Sequence, residues 1–315
     1  MLGRAGGPGR EKMIGRCRWC GMDDHLQEVL RLDKVGAFGQ PFRLSRCRAC
    51  GSWQIEPPLT TAIIREYFLA PERWRSILDP DGRLVDPLER LAARRREYQN
   101  YATALTGRLE EGDRVLDVGA GGGLMLSLLP ETLKKVAVEP HPGAAEAARG
   151  RGLLVRRDWA DDLNFPPNHL AALIMNQTLN YLPDPGHFLA RAVAWIRAGG
   201  LLLLTGFVNP ESSMARLYGP RYRLWHPFCQ IYPTPEAVVR VLGGWGFEIL
   251  RWWQPYFSTP YGSPLKLFKN MPEILFETLG WTRRRFSPAW PGNTFSFLAR
   301  KKILTLPLEK MVLAY

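Results

Sequence analysis

Residues 114–123 read RVLDVGAGGG, and residues 135–139 read KVAVE. The apolar run up to Val118 predicts a short strand, and the glycines after it predict a tight turn. Leu124–Leu129 predicts a helix, and the second stretch predicts the next strand, which Glu139 ends. This order of strand, glycine turn, helix and strand is typical of a doubly wound α/β fold.

The same turn predicts the kind of ligand that it binds. Glycines allow the backbone to approach a ligand closely, and an acid at the end of the second strand can bond to ribose hydroxyls. A dinucleotide site would need a glycine at the position of Leu124, whereas the spacing here is D-x-G-x-G-x-G. The Asp117 carboxylate would repel a diphosphate and suits a cationic amino group. The pattern therefore favours an amino acid joined to adenosine.

These motifs resemble those of the class I methyltransferases that use S-adenosylmethionine. VLDVGAGGG is similar to their first motif, VAVEP to their second and RRDWADDL to their third, and the resemblance covers roughly Tyr98–Lys301. It implies a Rossmann-like, seven-stranded α/β sheet. It also implies a set of cofactor contacts, which comprises Asp117, Gly119, Ala120, Gly121, Gly123, Glu139, Asp158, Trp159 and Asn176.

Each of these residues also has a simpler structural explanation. The glycines can form a tight turn without a ligand, and Asp117 can cap a helix. Glu139 can lie in solvent and Trp159 in the core. The motif series makes the methyltransferase interpretation stronger than any one of its positions.

Four of the five cysteines form two copies of one pattern, Cys17-x-x-Cys20-Gly21 and Cys47-x-x-Cys50-Gly51. Two thiolates in such a turn can face one ion, and the following glycine permits the positive φ that the turn needs. A redox dithiol and two disulfides are the alternatives. We expect a structural zinc ion, Zn2+, in an N-terminal zinc-ribbon-like module, and a packed thiol at Cys229.

Composition limits the class of protein. The chain has 315 residues, 46% of them hydrophobic and 23% charged, which is ordinary globular usage. Its longest apolar runs, such as Leu201–Leu204, are too short to span a membrane. Met1–Gly15 lacks the apolar core of a secretory signal, which predicts a flexible leader and a cytoplasmic protein. The net charge of +12 makes nucleic acid a candidate partner, although a solvated basic face that includes Arg94–Arg96 explains it more simply.

The expected organisation has five parts. They are a leader at 1–15, a zinc-ribbon-like module at 16–58, a helical linker and cap at 59–110, a methyltransferase domain at 111–302 with acceptor-side cap insertions at 207–235 and 254–293, and a tail at 303–315.

The order of knuckles, linker and catalytic domain resembles a bacterial subgroup that modifies sugars and other secondary metabolites. Its segment after the fifth strand is similar to residues 225–236, WHPFCQIYPTPE. Gln230 stands where the subgroup usually has histidine, and Asn180-Tyr181 where it has Glu-His. Both changes remove a proton acceptor, which a hydroxyl substrate would need. His226 is the first candidate for a replacement base, and Tyr181 is the second.

We therefore predict an S-adenosylmethionine-dependent methyltransferase (EC 2.1.1.-) that acts on oxygen or nitrogen of a small-molecule or saccharide acceptor. An RNA methyltransferase that grips phosphates through the zinc module and the basic surface is the alternative. A catalytically inactive adaptor with the same fold is the third interpretation. Aromatic residues interleaved with Arg216, Arg221 and Arg223 either stack on the acceptor or form the core of a cap. The sequence predicts no oligomeric state.

Overall fold

The structure is a computed structural model that describes residues 12–13, 15–32, 41–75, 77–78, 84–282 and 287–303. Its strands are β1 (Lys12–Met13), β2 (Leu26–Leu32), β3 (Phe42–Cys47), β4 (Trp53–Glu56), β5 (Ile77–Leu78), β6 (Leu84–Val85), β7 (Arg114–Val118), β8 (Lys134–Val138), β9 (Leu154–Arg156), β10 (Leu170–Asn176), β11 (Ile196–Val208), β12 (Ile231–Tyr232), β13 (Phe247–Trp253) and β14 (Thr294–Lys301). Its α-helices are α1 (Thr61–Leu69), α2 (Pro87–Ala93), α3 (Arg95–Thr106), α4 (Leu124–Ser127), α5 (Pro142–Arg149), α6 (Pro185–Trp195), α7 (Ser213–Tyr218), α8 (Pro235–Gly244) and α9 (Pro264–Thr278).

The central sheet has seven strands in the order β13-β14-β11-β10-β7-β8-β9. The strands from β11 to β9 run parallel, and β14 is antiparallel to both of its neighbours. This arrangement confirms the predicted Rossmann-like, seven-stranded α/β fold. From β7 the strand order runs outward to β8 and β9 on one side and to β10 and β11 on the other. Ligands of such sheets bind at the carboxyl ends of the strands where the order changes side, here between β7 and β10.

Both faces of the sheet are covered, because its central strands are apolar on both sides. Alternate residues of β7, such as Val115 and Leu116, enter different core clusters, as the two-residue period of a strand requires. Helices α3, α4 and α5 pack on one face. Helices α6 and α8 pack on the other, together with Trp19 and three of the knuckle cysteines.

The N-terminal module forms a second sheet in the order β1-β2-β3-β4-β12. Strands β2 and β3 lie in the stretch of chain between the two knuckles. Strand β12 lies in the sequence between two strands of the central sheet, β11 and β13. It nevertheless pairs with β4, Ile231 with Gln54 and Tyr232 with Trp53. The N-terminal sheet is therefore completed by a segment that we assigned to an acceptor-side cap insertion.

Two expectations about the basic and terminal segments need correction. The helical linker and cap expected at 59–110 includes α2 and α3, and Arg94 lies between these two helices. Arg94 is buried and donates to both oxygens of Glu97, so it does not belong to a solvated basic face. Within the expected leader, β1 pairs with β2.

Other expectations fall on segments that the structure does not describe. They are the leader at residues 1–11 and 14 and the tail beyond residue 303. In the described part of the chain, no helix has the length and apolar character needed to cross a membrane.

Candidate functional site

A cleft opens at the carboxyl edge of β7, β8 and β10, where the sheet order reverses. It holds about 800 Å³ of space, part of which is open solvent. Helix α1 covers it from the N-terminal side. The lining residues are Thr61, Ile64, Arg65, Phe68, Val118, Gly119, Val138, Glu139, Pro140, Asp158, Trp159, Ala160, Asp161, Asn176, Gln177, Thr178, Tyr181, Leu182 and Pro183.

The glycine turn after β7 shapes one wall of this cleft. Gly119 has a φ of +74°, and a Cβ there would overlap the side chain of Thr178. Gly121 has a φ of +54°, and a Cβ there would meet no atom within 4 Å, so the backbone faces open space. Gly123 serves packing instead, because a Cβ would meet Ala148 2.9 Å away. The turn at Gly119–Gly121 therefore forms the glycine cradle of the cleft, since Gly119 lines the cleft and Gly121 leaves open space beside its backbone, whereas Gly123 packs against α5.

Glu139 ends β8 and lines the cleft, as the ribose prediction requires. Its two carboxylate oxygens accept hydrogen bonds from the backbone N–H groups of Gly121 and His141, each 2.8 Å long. Burial raises the pKa of Glu139, and these two N–H groups oppose that shift. Ala120, next to Gly121, donates its N–H to the carbonyl of Val138. The carboxylate is thus fixed in orientation at the cleft wall.

Asp117 lies behind this wall, fully buried in β7. Neither carboxylate oxygen has a hydrogen-bond partner among the residues that the structure describes. Burial, and then the negative charge of Glu139, raise the pKa of Asp117 to about 8. An unpaired buried carboxylate is unfavourable and is relieved by a cation. This group fits a ligand that carries an ammonium, as S-adenosylmethionine does.

The far end of the cleft is formed by the predicted third motif. Asp158 pairs with Arg156 at 2.7 Å and keeps one face toward the cleft. Trp159 lies beneath the guanidinium of Arg65, whose carbon is 5.2 Å from the ring centroid. Asn176, at the end of β10, accepts a hydrogen bond from the hydroxyl of Thr205 and also lines the cleft.

Sequence reasoning missed the contribution of α1. Arg65 reaches from α1 to both oxygens of Asp162, at 3.0 and 3.2 Å, and spans the cleft mouth over Trp159. Phe68 from the next turn also lines the cleft. The sequence predicted a helical linker and cap at 59–110, and that prediction does not show which strand edge the helix covers.

The two candidate bases are neighbours, but only Tyr181 lines the cleft. The rings of Tyr181 and His226 are 6.2 Å apart, edge to face. Nδ1 of His226 accepts from the backbone N–H of Phe228 at 3.3 Å, and Nε2 lies 3.4 Å from the hydroxyl of Tyr67. An accepting Nδ1 places the proton of a neutral ring on Nε2, facing that hydroxyl.

Gln230, one of the departures from the subgroup pattern, ties the first knuckle and the linker to the segment before β12. Its carbonyl oxygen accepts from the guanidinium of Arg18 at 2.9 Å and from the N–H of Leu59 at 3.1 Å. Its amide NH2 donates to the carbonyls of Pro227 and Phe228. A fully buried amide whose polar groups are all bonded is a structural tie, and it provides no proton acceptor for a substrate.

The aromatic residues of the second half mostly form core. The buried ones are Tyr218, Tyr222, Trp225, Phe228, Tyr232 and Tyr256, whereas Trp252 and Phe257 are exposed. Arg221 pairs with Glu277 at 2.6 Å, and Arg216 lies 3.8 Å from Glu211. These two arginines therefore have protein partners outside the cleft.

The four knuckle cysteines Cys17, Cys20, Cys47 and Cys50 converge, with all sulfur atoms within 4.8 Å of one another. The Cys17–Cys50 and Cys20–Cys47 pairs are each separated by 3.8 Å. A tetrahedral ion with metal–sulfur bonds of about 2.3 Å holds its ligands about 3.8 Å apart, whereas a disulfide needs about 2 Å. Gly21 and Gly51 have positive φ, as predicted. The geometry suits four-coordinate zinc and none of these cysteines is in a disulfide.

The first knuckle docks directly on the central domain. The indole of Trp19 donates to the carbonyl of Ala237 at 3.1 Å, and Gly186 donates its N–H to the carbonyl of Arg18 at 2.8 Å. A Cβ on Gly186 would lie 2.5 Å from the carbonyl oxygen of Trp19. The start of α6 and the knuckle backbone therefore touch at a position that only glycine fits.

A family profile described as a methyltransferase domain matches residues 90–251, just over half of the chain. The chain belongs to this methyltransferase family. The match begins in α2 and ends in β13, and it includes most of the residues that line the cleft. The prediction of a methyltransferase is thereby confirmed at the level of family and fold.

Curated relatives match a shorter part. Ubiquinone biosynthesis O-methyltransferase of Azorhizobium caulinodans is 27% identical over 152 residues, 44% of this chain and 60% of that protein. The chloroplastic 2-methyl-6-phytyl-1,4-hydroquinone methyltransferase 2 of rice, Oryza sativa subsp. japonica, is 27% identical over 142 residues, 43% of this chain and 39% of that protein. The chain spans less than two thirds of the length of these relatives.

One solved structure shares the fold over most of the chain. It is geranyl diphosphate C-methyltransferase from Streptomyces coelicolor, in complex with Mg2+, geranyl diphosphate and S-adenosyl-L-homocysteine. It is 14% identical with a TM-score of 0.50, over 78% of this chain and 100% of that chain.

Proposed function

We propose that this protein transfers a methyl group from S-adenosylmethionine to an oxygen or nitrogen of a small-molecule acceptor. The observation that carries the proposal is the cleft at the sheet reversal, which has a glycine cradle at one end and an aromatic wall at the other. The two curated relatives named above support a small acceptor, because their names describe methylation of quinone-type compounds.

The cofactor would lie along the carboxyl edge of the sheet. Asp117 would balance its ammonium, the backbone at Gly119–Gly121 would follow its amino-acid part, and Glu139 would bind the ribose. Asp158, Trp159 and Asn176 would surround the adenine end. When bound, S-adenosylmethionine supplies a methyl group on a sulfonium, which a nucleophile displaces directly. This chain's residues would align the acceptor and exclude water, which is the main contribution that such a displacement needs.

The acceptor would lie against the apolar wall formed by Phe68, Tyr181 and Leu182. Arg65 is the basic residue among those that line the cleft, and it is already paired with Asp162. A neutral ring, as in a phenol or a sugar, fits such a wall better than a phosphorylated compound. Tyr181 is placed to touch the acceptor, whereas His226 lies behind it and outside the cleft, with its Nε2 facing Tyr67.

The four cysteines would hold zinc in a structural role. The site is closed by four thiolates, which leaves no coordination position for a substrate. Arg18 lies between the ligands Cys17 and Cys20 in the sequence, so the metal would fix the position of its backbone. Its guanidinium donates a hydrogen bond to Gln230.

The first experiment has two steps. Calorimetry should show binding of S-adenosylhomocysteine, and radiolabelled S-adenosylmethionine should then label small, ribonuclease-resistant molecules in an extract. A ribonuclease-sensitive product would instead support the RNA methyltransferase, and its formation should weaken steeply with salt. Cofactor binding without any transfer would support the adaptor, and absence of cofactor binding would contradict the proposal.

The roles of Tyr181 and His226 are tested separately. If His226 receives the proton, His226→Ala should lower kcat on the order of 10²-fold, while KM changes little. Tyr181→Phe should mainly raise KM for the acceptor. His187, an exposed histidine on α6, gives the matched control, and His187→Ala should leave both parameters unchanged.

A further inference from the structure

Helix α9 presents a row of large apolar side chains to solvent. They recur three or four residues apart along the helix and continue past its end, and Phe268 and Trp281 are each 72% exposed. The exposed members are Leu265, Phe268, Met271, Leu275, Phe276, Leu279 and Trp281. A contiguous surface of this kind marks an interaction site.

The opposite side of α9 is anchored to the protein. Ile274 packs against the aromatic core cluster that contains Tyr218 and Phe228. Glu277 is buried and accepts from Arg221 at 2.6 Å. The helix is therefore held in place with its apolar row outward.

The charged residues of α9 differ in exposure according to their sign. Lys266 and Lys269 are exposed, whereas the carboxylates of Glu273 and Glu277 are half-buried and buried on the protein side. Every exposed charge on this helix is thus positive. In the sequence, three further arginines follow at 283–285.

This distribution selects between two kinds of partner. A second copy of the chain, paired through α9 across a two-fold axis, would offer these lysines no exposed carboxylate from its own α9. An anionic lipid surface would accept the apolar row and neutralise the lysines at the same time. We propose that α9, with Leu279 and Trp281, docks the protein on an anionic lipid surface.

Docking through α9 would bring the acceptor side of the protein to the membrane. The aromatic cluster under α9 also includes Tyr67, Phe68 and Tyr181, and the last two line the cleft. An acceptor with a hydrocarbon part could then reach the cleft from the lipid. Docking itself does not depend on methyl transfer, so its test is independent of the proposed function.

Flotation of the full chain with lipid vesicles tests the inference. We expect binding to vesicles of phosphatidylcholine and phosphatidylglycerol in equal parts, and much weaker binding to phosphatidylcholine vesicles. Phe268→Ser combined with Trp281→Ser should reduce binding about tenfold or more, because two large apolar side chains are lost. Lys266→Gln combined with Lys269→Gln should remove the preference for anionic vesicles.

Trp252→Ser is the matched control, since Trp252 is an exposed aromatic residue on β13. It should bind vesicles like the wild type, and circular dichroism should show that all variants are folded. Absence of wild-type binding to the anionic vesicles overturns the inference. One result would assign the surface to a second copy of the chain instead. In that case sedimentation velocity would show a dimeric wild type and a monomeric Phe268/Trp281 variant, and both proteins would bind vesicles equally.

Discussion

Burial of the Asp117 carboxylate raises its pKa to about 8, so the cofactor-free protein keeps this group largely protonated at neutral pH. An aspartate in the unfolded chain has a pKa of about 3.9. Because the folded value is higher, ionisation disfavours the fold, and the stability of the free protein should fall as the pH rises from about 4 to about 8. The contribution of this residue has a slope of at most about 1.4 kcal/mol per pH unit.

Asp117→Asn removes that contribution. We expect the variant to lose less stability than the wild type across this pH range, as measured by urea unfolding at a series of pH values. The difference between the two curves isolates Asp117 from Glu139, whose pKa is also raised. Parallel curves would show that Asp117 is not the cause. The variant should also bind S-adenosylhomocysteine at least about tenfold more weakly, because the ammonium loses its charge partner.

The glycine cradle gives a second prediction at this scale. Gly119→Ala should lower both stability and cofactor affinity, because a Cβ there overlaps Thr178 in addition to straining a φ of +74°. Gly112 has a φ of +80° with no atom within 4 Å of a Cβ, so Gly112→Ala measures the backbone strain without the overlap. We expect about 1 kcal/mol for the control and clearly more for Gly119→Ala in denaturant unfolding. Equal losses would mean that Thr178 moves aside freely.

Among the helices, α1 is expected to act as a cover for the bound cofactor. Arg65→Gln removes the ion pair with Asp162 and the contact with Trp159, and it should weaken S-adenosylhomocysteine binding several-fold. Stability should change by less than about 1 kcal/mol, since the pair is partly exposed. Arg149→Gln is the control, because Arg149 forms an exposed pair with Glu146 away from the cleft. Unchanged calorimetric affinity in Arg65→Gln would contradict the covering role.

Contact between α6 and the first knuckle gives a further prediction. Gly186→Ala should push the knuckle backbone away from α6 and lower the melting temperature and the zinc content together. Gly243 lies inside α8 with no atom within 4 Å of a Cβ. Gly243→Ala should be neutral or slightly stabilising, since alanine is the better helix former. A Gly186→Ala protein with normal metal content and melting temperature would contradict this account.

Sequence patterns could predict the strands, helices and turns, but not the contacts between segments that are distant in the sequence. The strands β7 and β8 and the glycine turn follow from local composition, so they were predicted almost to the residue. Arg94 was expected on a solvated face and is buried instead. Its burial depends on the ion pair with Glu97 three residues later and on the packing of α3, which the run of arginines does not reveal. The roles of Arg65 and Gln230 depend on partners 97 and 212 residues away, which no local pattern encodes.

At the scale of the whole molecule, the N-terminal cysteine module and the methyltransferase domain should unfold together. Trp19 and three of the knuckle cysteines share a core cluster with β7, β10 and β11. Removal of the metal by a chelator, or Cys47→Ser, should therefore lower the melting temperature of the entire chain in a single transition. Elemental analysis should show about one zinc per chain before treatment. A protease-resistant fragment that spans the methyltransferase domain after chelation would contradict this coupling.

Strand β12 also constrains the order of events during synthesis. Its partner β4 ends at Glu56, and β12 begins at Ile231, so the ribosome must add about 175 residues before the edge of β4 can be filled. At typical elongation rates this takes roughly 10 to 35 s. An open strand edge is a template for pairing with neighbouring nascent chains. On a crowded polysome, the protein is therefore most vulnerable to aggregation during one interval. That interval begins when both cysteine knuckles and β4 have emerged from the ribosome, and it ends when β12 of the same chain arrives.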